Sequence, residues 1–347
     1  MDMLPFTLTP FIKKLLSRLE AENCISSLAA IRAQVYKSDK ESFISPEELP
    51  DPLGEHCYKV THRLVHQYKN RALLLSTGTC FAYCRHCFRR NFAGRGEGWI
   101  TEAELDEVCS YLTSHKEIEE ILISGGDPLT VSDEVLESLF IRLREARPGI
   151  LLRLCTRALF FAPERLTPSL ISLLQKSKPL WVIPHINHPA EISAASAPES
   201  RSAIDTLINA GIPVQSQTVL LSGVNDDVKT LHTLFHDLVC LGVKPGYLFQ
   251  TDLAQGTSHF RVPLEKAVKL YEELRKDLSG LSTPVFAVDL PGGGGKFNLL
   301  QLNNDFYDTK VSFSDTEFIF TRDIKTDFLK DSKEQDRKRG QWKYPRT

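Results

Sequence analysis

Three cysteine thiols lie within the eight residues CFAYCRHC, at Cys80, Cys84 and Cys87. A structural zinc site closes with four ligands, and an electron-transfer iron–sulfur cluster usually takes four thiolates. Three thiolates can instead hold three irons of a [4Fe–4S] cube and leave the fourth iron open for a ligand that reacts. His86 stands inside the motif and could complete a zinc site. The spacing therefore predicts a cluster, with a zinc knuckle as the alternative.

A run of four glycines ends at Lys296, in the motif PGGGGK over residues 291–296. Glycine lets the backbone approach a ligand closely and adopt positive φ without a Cβ clash. The lysine could bind phosphate, although the Walker spacing and the Ser or Thr that follows it are absent. It could instead be a Schiff-base lysine that holds pyridoxal phosphate (PLP). A solvated lysine on a flexible surface loop is the third interpretation.

A second glycine motif, SGGDPL, covers residues 124–129. Gly125 and Gly126 would let backbone carbonyls face a bound ligand. The same residues are also good chemistry for an ordinary turn between a strand and a helix. Alone, the motif does not separate the two interpretations.

Short apolar runs alternate with longer amphipathic stretches through most of the chain, as in a parallel sheet covered by helices. No Gly-x-Gly-x-x-Gly motif opens the first helix, which argues against a dinucleotide-binding fold. Six such units and a seventh strand predict an α/β fold, a partial (β/α)6 barrel of the TIM type. The predicted strands lie at 72–76, 120–124, 150–155, 180–186, 213–220, 247–250 and 285–288, and the predicted helices at 101–115, 132–146, 168–177, 199–210, 226–241 and 263–279.

The same patterns divide the chain into four parts. Residues 1–60 are a mainly helical segment with helical spacing from Phe11 to Ala33, and residues 61–296 are the barrel. Residues 297–323 form an extension in which 310–313 and 317–321 alternate as a β-hairpin. Residues 324–347 are a charged tail, which we expect to be flexible. The cysteine triad follows the first predicted strand, at the edge where parallel barrels build active sites.

Composition and charge argue against several classes of protein. The 347 residues are 42% hydrophobic and 25% charged, with a formal net charge of −2. This is typical of a globular protein and gives no basic field for nucleic acid or an anionic membrane. No apolar run approaches the ~18 residues of a membrane span, and no signal-peptide pattern is visible. We expect a cytoplasmic protein with reduced cysteines, and neither nucleic acid nor a membrane as partner.

Taken together, the motifs resemble one family closely. The chain is similar to the lysine 2,3-aminomutases, radical S-adenosylmethionine (SAM) enzymes that also bind PLP, from about residue 51 to residue 296. Besides the three motifs above, PHINHP (184–189), VLLSGVND (219–226) and HFRVP (259–263) carry the resemblance. The fold that it implies is the partial (β/α)6 barrel of the radical SAM type, which the periodicity already favours.

The resemblance also implies which residues bind the cofactors. Cys80, Cys84 and Cys87 would hold the [4Fe–4S] cluster, and SAM would bind its open iron. Lys296 would bind PLP covalently as the catalytic lysine, and Arg71 would meet the phosphate of PLP, where a fixed cation suits a dianion. The residues implied near SAM are His86, Gly125, Gly126, Asp127, His185 and Gln217.

Three further residues would bind the substrate. Arg89, just after the triad, matches the family position that clamps the substrate carboxylate, a task that suits the bidentate fork of arginine. Asp252 and Asp289 match the pair that binds the ε-ammonium of lysine. An aminomutase for glutamate would need neutral or cationic groups there. The resemblance thus implies an isomerase that moves the α-amino group of L-lysine to C3 and gives β-lysine.

The context of the substrate lysine stays open. Free-lysine enzymes of the family have longer terminal regions, partly used for oligomerisation, and this shorter chain resembles the branch that acts on a lysine of elongation factor P. That branch tends to have a degenerate glycine loop, whereas PGGGGK is intact. We expect lysine as substrate, free or protein-bound, a homo-oligomer, and an electron donor such as flavodoxin or ferredoxin. An inactive paralogue, or a protein that only binds zinc or an iron–sulfur cluster, is the alternative of another class.

Overall fold

A computed structural model describes residues 4–299, 310–313 and 316–319 of the chain. Each of the seven predicted parallel strands is present, within a few residues of its expected bounds. In chain order the strands are β1 (Leu64–Tyr68), β2 (Arg71–Thr77), β3 (Glu120–Gly125), β4 (Leu151–Thr156), β5 (Leu180–Pro184), β6 (Gln215–Val219), β7 (Lys244–Phe249), β8 (Val285–Leu290), β9 (Gly295–Asn298), β10 (Lys310–Phe313) and β11 (Thr316–Ile319).

The six predicted covering helices are also present, together with a pair of N-terminal helices and one short extra turn. In chain order they are α1 (Pro10–Ala21), α2 (Ile25–Val35), α3 (Glu102–Ser114), α4 (Asp133–Ala146), α5 (Ala158–Phe161), α6 (Pro168–Lys176), α7 (Pro198–Asn209), α8 (Val228–Cys240) and α9 (Leu264–Asp277). None of the helices in the described ranges is long and apolar enough to cross a membrane.

Strands β2 to β8 run parallel and side by side as one curved wall. The order β1–β2–β3–β4–β5 makes one hydrogen-bonded sheet and β6–β7–β8–β9 the other. The two sheets meet through parallel bridges from Val182 to Val214 and from His185 to Gln217. No pairing closes β2 onto β8 among the described strands. The expected partial (β/α)6 barrel is therefore confirmed, and it is an open one.

Helix α3 illustrates how the sequence positions a covering helix. The hydroxyl of Thr101 accepts the amide hydrogen of Glu104, and the Glu104 carboxylate accepts that of Thr101. This capping box begins the helix where the sequence predicts it. Leu105, Val108 and Leu112, spaced three and four residues apart, are its buried side chains and pack into the main core.

Four elements differ from the sequence-based expectation. The stretch expected to be helical from Phe11 to Ala33 is two helices, separated at Asn23, whose φ of 55° is left-handed and interrupts an α-helix. Strand β1 and strand β9 were not expected; both are antiparallel and flank the parallel wall. The hairpin pairs β10 with β11, and β11 begins at Thr316, one residue before its predicted start. Residues 320–321 of the predicted second strand lie outside the described residues. The hairpin turn at 314–315 and the tail at 324–347 also lie outside the described residues.

Candidate functional site

One cavity of about 520 Å³ runs along the inside of the parallel wall. It extends from the loop after β2, where the cysteine triad lies, to residues near the amino ends of β2, β3 and β4. Every residue that the sequence singled out as a site residue lines this cavity. They are Arg71, Cys80, Cys84, His86, Cys87, Arg89, Gly125, Gly126, Asp127, His185, Gln217, Asp252, Asp289 and Lys296.

The glycines of SGGDPL hold the triad loop against the end of β3. The amide of Gly126 donates to the carbonyl of Thr77 at 2.5 Å. A Cβ on Gly126 would lie 2.2 Å from the carbonyl oxygen of Thr79, and one on Gly125 would lie 2.6 Å from that of Thr77. Gly125 also has a φ of 106°, which L side chains rarely adopt. The two glycines are thus needed where the backbone leading into Cys80 crosses β3.

Asp127 continues this contact from β3 to β4. Its amide donates to the carbonyl of Thr79 at 2.8 Å. Its buried carboxylate accepts from the Thr156 hydroxyl at 2.8 Å and from the amide of Arg157 at 2.8 Å. Burial raises the pKa of this carboxyl, and the hydrogen bonds from Arg157 and Thr156 oppose that rise. The Asp127 carboxylate therefore connects the end of β3 with the end of β4, and its oxygens accept hydrogen bonds from protein donors.

The triad sulfurs are free thiols, and one of them faces a buried cation. Arg157 donates from Nη1 to Sγ of Cys84 at 2.9 Å. Its Nη2 donates to Oε1 of Gln34 at 2.6 Å and to Glu191, whose side chain is fully buried. The Arg157 guanidinium thus places a fixed positive charge beside one sulfur of the triad. This network could not be predicted from the sequence, because Gln34 is 123 residues from Arg157.

The two predicted histidines lie edge to face, with ring centroids 5.4 Å apart. Nε2 of His185 lies 2.8 Å from Oδ1 of Asn187, whose amide nitrogen lies 3.3 Å from Nε2 of His86. Burial lowers the pKa of His86 well below its ordinary value and that of His185 to about 3, so both rings are neutral. With Nε2 of His86 as the acceptor, its Nδ1 carries the proton and has no partner among the described residues. A buried, unpartnered donor at the cavity fits an acceptor on a bound ligand.

Lys296 is held at the cavity by three aromatic residues and a carboxylate. It is in β9, directly opposite Asp289 of β8, and its Nζ lies 3.1 Å from Oδ2 of Asp289. Nζ also lies 3.8 Å from the ring centroid of Phe249 and 5.0 Å from that of Tyr247. The backbone amide of Lys296 donates to the hydroxyl of Tyr68 at 2.8 Å. Lys296 is thus part of a strand and is not on a flexible surface loop.

Tyr68 also connects Lys296 with Arg71. The Arg71 guanidinium lies 3.9 Å from the centroid of the Tyr68 ring. Burial, and then the charge of Asp289, raise the pKa of Tyr68 to about 12, so the hydroxyl stays neutral. A cation suited to phosphate and a lysine suited to an aldehyde therefore flank one tyrosine, an arrangement that fits PLP.

Asp252 faces Asp289 and Lys296 in the same cavity. Burial, and then repulsion from Asp289, raise the pKa of Asp252 well above its ordinary value. Lys296 and Arg89 act in the opposite direction. Asp289 is thus paired with Lys296, and Asp252 lies beside this pair as a second acidic side chain, a placement that suits an ammonium group.

Arg89 makes an ion pair that the sequence did not predict. Its Nη1 and Nη2 donate to the two carboxylate oxygens of Glu55, with the Nη2 contact at 2.6 Å. The face of its guanidinium lies 4.6 Å from the ring centroid of Phe88. Glu55 belongs to the segment before β1, and no spacing rule connects it with a residue 34 positions later.

The donor set fits an iron–sulfur cube better than a zinc ion. In the described part of the chain, no three His, Cys, Asp or Glu side chains are grouped closely enough to hold one metal ion. His86 in particular is turned toward Asn187 and His185. A cube makes a different demand, since each thiolate binds a different iron. The three free thiols of the triad line one cavity, so each could bind one iron of a cube.

Comparisons with known proteins agree with this geometry. The model of the radical SAM superfamily matches residues 74–234. A Treponema pallidum protein provisionally named as an L-lysine 2,3-aminomutase is 52% identical over 295 residues, which cover 85% of this chain and 82% of that protein. The L-lysine 2,3-aminomutase of Fusobacterium nucleatum is 39% identical over 85% of this chain and 67% of its own length.

A relative named for a different substrate also matches. The glutamate 2,3-aminomutase of Clostridioides difficile is 36% identical over 72% of this chain and 58% of its own length. Sequence identity alone therefore does not distinguish lysine from glutamate as the substrate, and the residues that line the cavity must decide between them.

Proposed function

This chain belongs to the lysine 2,3-aminomutase family of radical SAM enzymes, and we propose that it moves the α-amino group of lysine to C3. Family members use a [4Fe–4S] cluster, SAM and PLP, and they require a reductant. One observation carries the choice of lysine: Asp252 and Asp289 face each other beside Lys296 in the cavity that the cysteine triad lines. The side-chain carboxylate of glutamate would add negative charge beside these two acidic side chains, whereas the ε-ammonium of lysine supplies a positive charge.

The chain's own residues hold the substrate at both ends. Asp289 is paired with the ammonium of Lys296 at 3.1 Å. When Lys296 binds PLP it no longer offers this ammonium, and the two aspartates are left for the ε-ammonium of lysine. Arg89 binds the α-carboxylate, as a bidentate fork suits that group.

The cofactors perform the chemistry between these two anchors. When bound, the cluster and SAM supply a radical that removes a hydrogen atom from Cβ, and PLP stabilises the migrating nitrogen. Tyr68, Phe249 and Phe88 place aromatic side chains along the wall of this cavity. Arg71, whose guanidinium lies against the ring of Tyr68, would hold the phosphate of PLP.

A free carboxylate on the substrate favours free lysine over a lysine residue of elongation factor P. In a protein-bound lysine the carboxyl group is an amide, and it offers Arg89 no charge. We offer free lysine and unmodified elongation factor P to the anaerobically reconstituted, reduced protein and analyse each for β-lysine. β-Lysine from free lysine supports the proposal, and β-lysine only in elongation factor P contradicts it.

Three expectations about the protein's surroundings belong with this proposal. We infer a cytoplasmic location, supported by eight free cysteines, because a low-potential cluster needs a reducing compartment. We infer flavodoxin or ferredoxin as the electron donor and a homo-oligomer as the assembled form. Sedimentation of the cluster-loaded protein tests the last point, and a single species with the mass of one chain would contradict it.

A further inference from the structure

Glu55 contacts the proposed carboxylate clamp, Arg89, and lines the same cavity. It begins a short 3-10 turn, Glu55–Tyr58, that precedes β1. Both of its carboxylate oxygens accept from Arg89, and both side chains are largely buried, with 16% and 12% of their surfaces exposed. We propose that Glu55 is a positioning residue that orients Arg89 for the substrate carboxylate. The inference rests on the proposed function.

The geometry of the guanidinium decides between orienting and blocking. Arginine has five N–H donors in a rigid plane. Glu55 takes one hydrogen from Nη1 and one from Nη2, which is the end of the fork. The side edge, formed by Nε and the other hydrogen of Nη2, has no hydrogen-bond partner among the described residues. A second carboxylate can bind along this edge while Glu55 stays in place.

The surroundings keep the guanidinium in this orientation. Phe88 lies against one face of the guanidinium. An arginine side chain has several rotatable bonds, so contacts at its end and its face remove most of the freedom that substrate binding would otherwise have to restrict.

Glu55 is itself fixed by the glycine turn that leads to Lys296. Its amide donates to Oδ1 of Asp51 at 3.1 Å. The neighbouring Gly54 has a φ of 60°, and a Cβ there would lie 2.5 Å from the carbonyl carbon of Gly292. Tyr58, at the end of the same turn, donates its hydroxyl hydrogen to the carbonyl of Gly293 at 2.7 Å.

The segment 51–58 therefore packs on the PGGGGK turn and holds Arg89 at the same time. The segment that contacts the clamp thus rests on the turn that leads to Lys296. In lysine, the distance between the α-carboxylate and the α-amino group is fixed. The contact between segment 51–58 and the glycine turn therefore sets the spacing of Arg89 and Lys296 to suit one lysine molecule.

The test compares lysine with lysinamide, which lacks the charged carboxylate, in wild type and Glu55→Gln. Glutamine keeps the size of the side chain and removes its charge. We expect KM for lysine to rise roughly tenfold to a hundredfold, because a charge-assisted pair is lost, with kcat changed far less. KM for lysinamide should change much less. Glu55→Asp, which keeps the charge, should restore part of the loss.

Two comparisons separate this effect from general damage. Glu199→Gln removes a carboxylate of α7 that pairs with Arg18 of α1. This pair lies away from the cavity, so the variant should leave both KM values unchanged. In an Arg89→Lys background, Glu55→Gln should add little, since Glu55 acts through Arg89. Iron and PLP contents are measured for every variant.

The possible outcomes are distinct. A lower KM for lysine in Glu55→Gln would show that Glu55 competes with the substrate and would overturn the proposal. An equal loss for lysine and lysinamide would reduce Glu55 to a structural role and overturn it as well. If the loaded wild type forms no β-lysine, the proposed function fails. Calorimetric binding of lysine and lysinamide to the same variants then still tests Glu55.

Discussion

Nζ of Lys296 lies 3.1 Å from Oδ2 of Asp289, and the two residues are direct partners in the antiparallel pair of β8 and β9. The chain turns between them through Pro291–Gly293, where Gly292 and Gly293 have φ values of 66° and 89°. The seven-residue separation of Asp289 and Lys296 is thus the separation of two facing positions in a tight hairpin. The glycines make that hairpin possible.

Lys296 should be the residue that binds PLP covalently. Borohydride reduction of the PLP-loaded protein should fix the label on the peptide that contains Lys296, and Lys296→Arg should abolish that label. Lys266→Arg, a lysine paired with Asp226 on the surface of α9, is the matched control and should keep the label. A label on any other lysine contradicts the assignment.

Asp252 and Asp289 should recognise the ε-ammonium of the substrate. Asp252→Asn and Asp289→Asn should each lower kcat/KM for lysine roughly tenfold to a hundredfold, as expected for the loss of a charged hydrogen-bond partner. Inhibition by norleucine, which has no ε-ammonium, should weaken little or not at all. Asp226→Asn, in an exposed pair, serves as the control. If lysine and norleucine lose affinity equally in these variants, Asp252 and Asp289 do not recognise the ε-ammonium, and the prediction is wrong.

Gly126 should be required for the cluster. A Cβ at this position would lie 2.2 Å from the carbonyl oxygen of Thr79, so Gly126→Ala must displace the backbone that leads into Cys80. We expect the reconstituted variant to hold less than half of the ~4 irons per chain that a [4Fe–4S] cluster requires. Gly280→Ala, where a Cβ would meet nothing within 4 Å, should load iron normally. A full iron content in Gly126→Ala would show that the loop tolerates the displacement.

His188 should make the protein less stable in acid. Burial lowers its pKa to about 4 from 6.5, so below pH 6.5 the unfolded chain binds a proton that the folded chain does not. Its contribution is fully present above pH 6.5 and decreases as the pH falls toward 4, by ~1.4 kcal/mol per pH unit. Its Nδ1 accepts the amide hydrogen of Ala190, a capping role that asparagine can fill.

Urea unfolding of the cluster-loaded protein between pH 4 and 7 measures this effect. His188→Asn should reduce the pH slope of the unfolding free energy by about the amount given for one histidine. An unchanged slope in His188→Asn would mean that His188 does not titrate differently in the folded state.

The sequence predicted the barrel well because its signals are local. Each parallel strand is an apolar run between turn residues. Thr101 and Ser132 are N-cap residues that mark where α3 and α4 begin. Strand β9 escaped prediction because a glycine run indicates a loop, and only the pairing with β8 makes it a strand. Asn23, where the N-terminal helix is broken, follows no proline or glycine.

The site residues came from motifs, and their neighbours did not. Glu55, Tyr68 and Arg157 line the cavity and contact predicted site residues, yet each does so across a long stretch of chain. The partner of a charged side chain cannot be predicted from the sequence when the two residues are far apart in the chain, because only the fold brings them together. The assignments of individual residues to SAM, PLP and substrate accordingly remain predictions for the experiments above.

One measurement tests the central claim most directly. Lysine that carries deuterium at C3 is incubated anaerobically with the reduced protein, SAM and PLP, and mass spectrometry follows β-lysine and recovered SAM. The account predicts β-lysine together with deuterium in the recovered SAM, because the hydrogen taken from Cβ passes through its adenosyl group. Lysine recovered unchanged, or β-lysine formed with no deuterium in SAM, would contradict it.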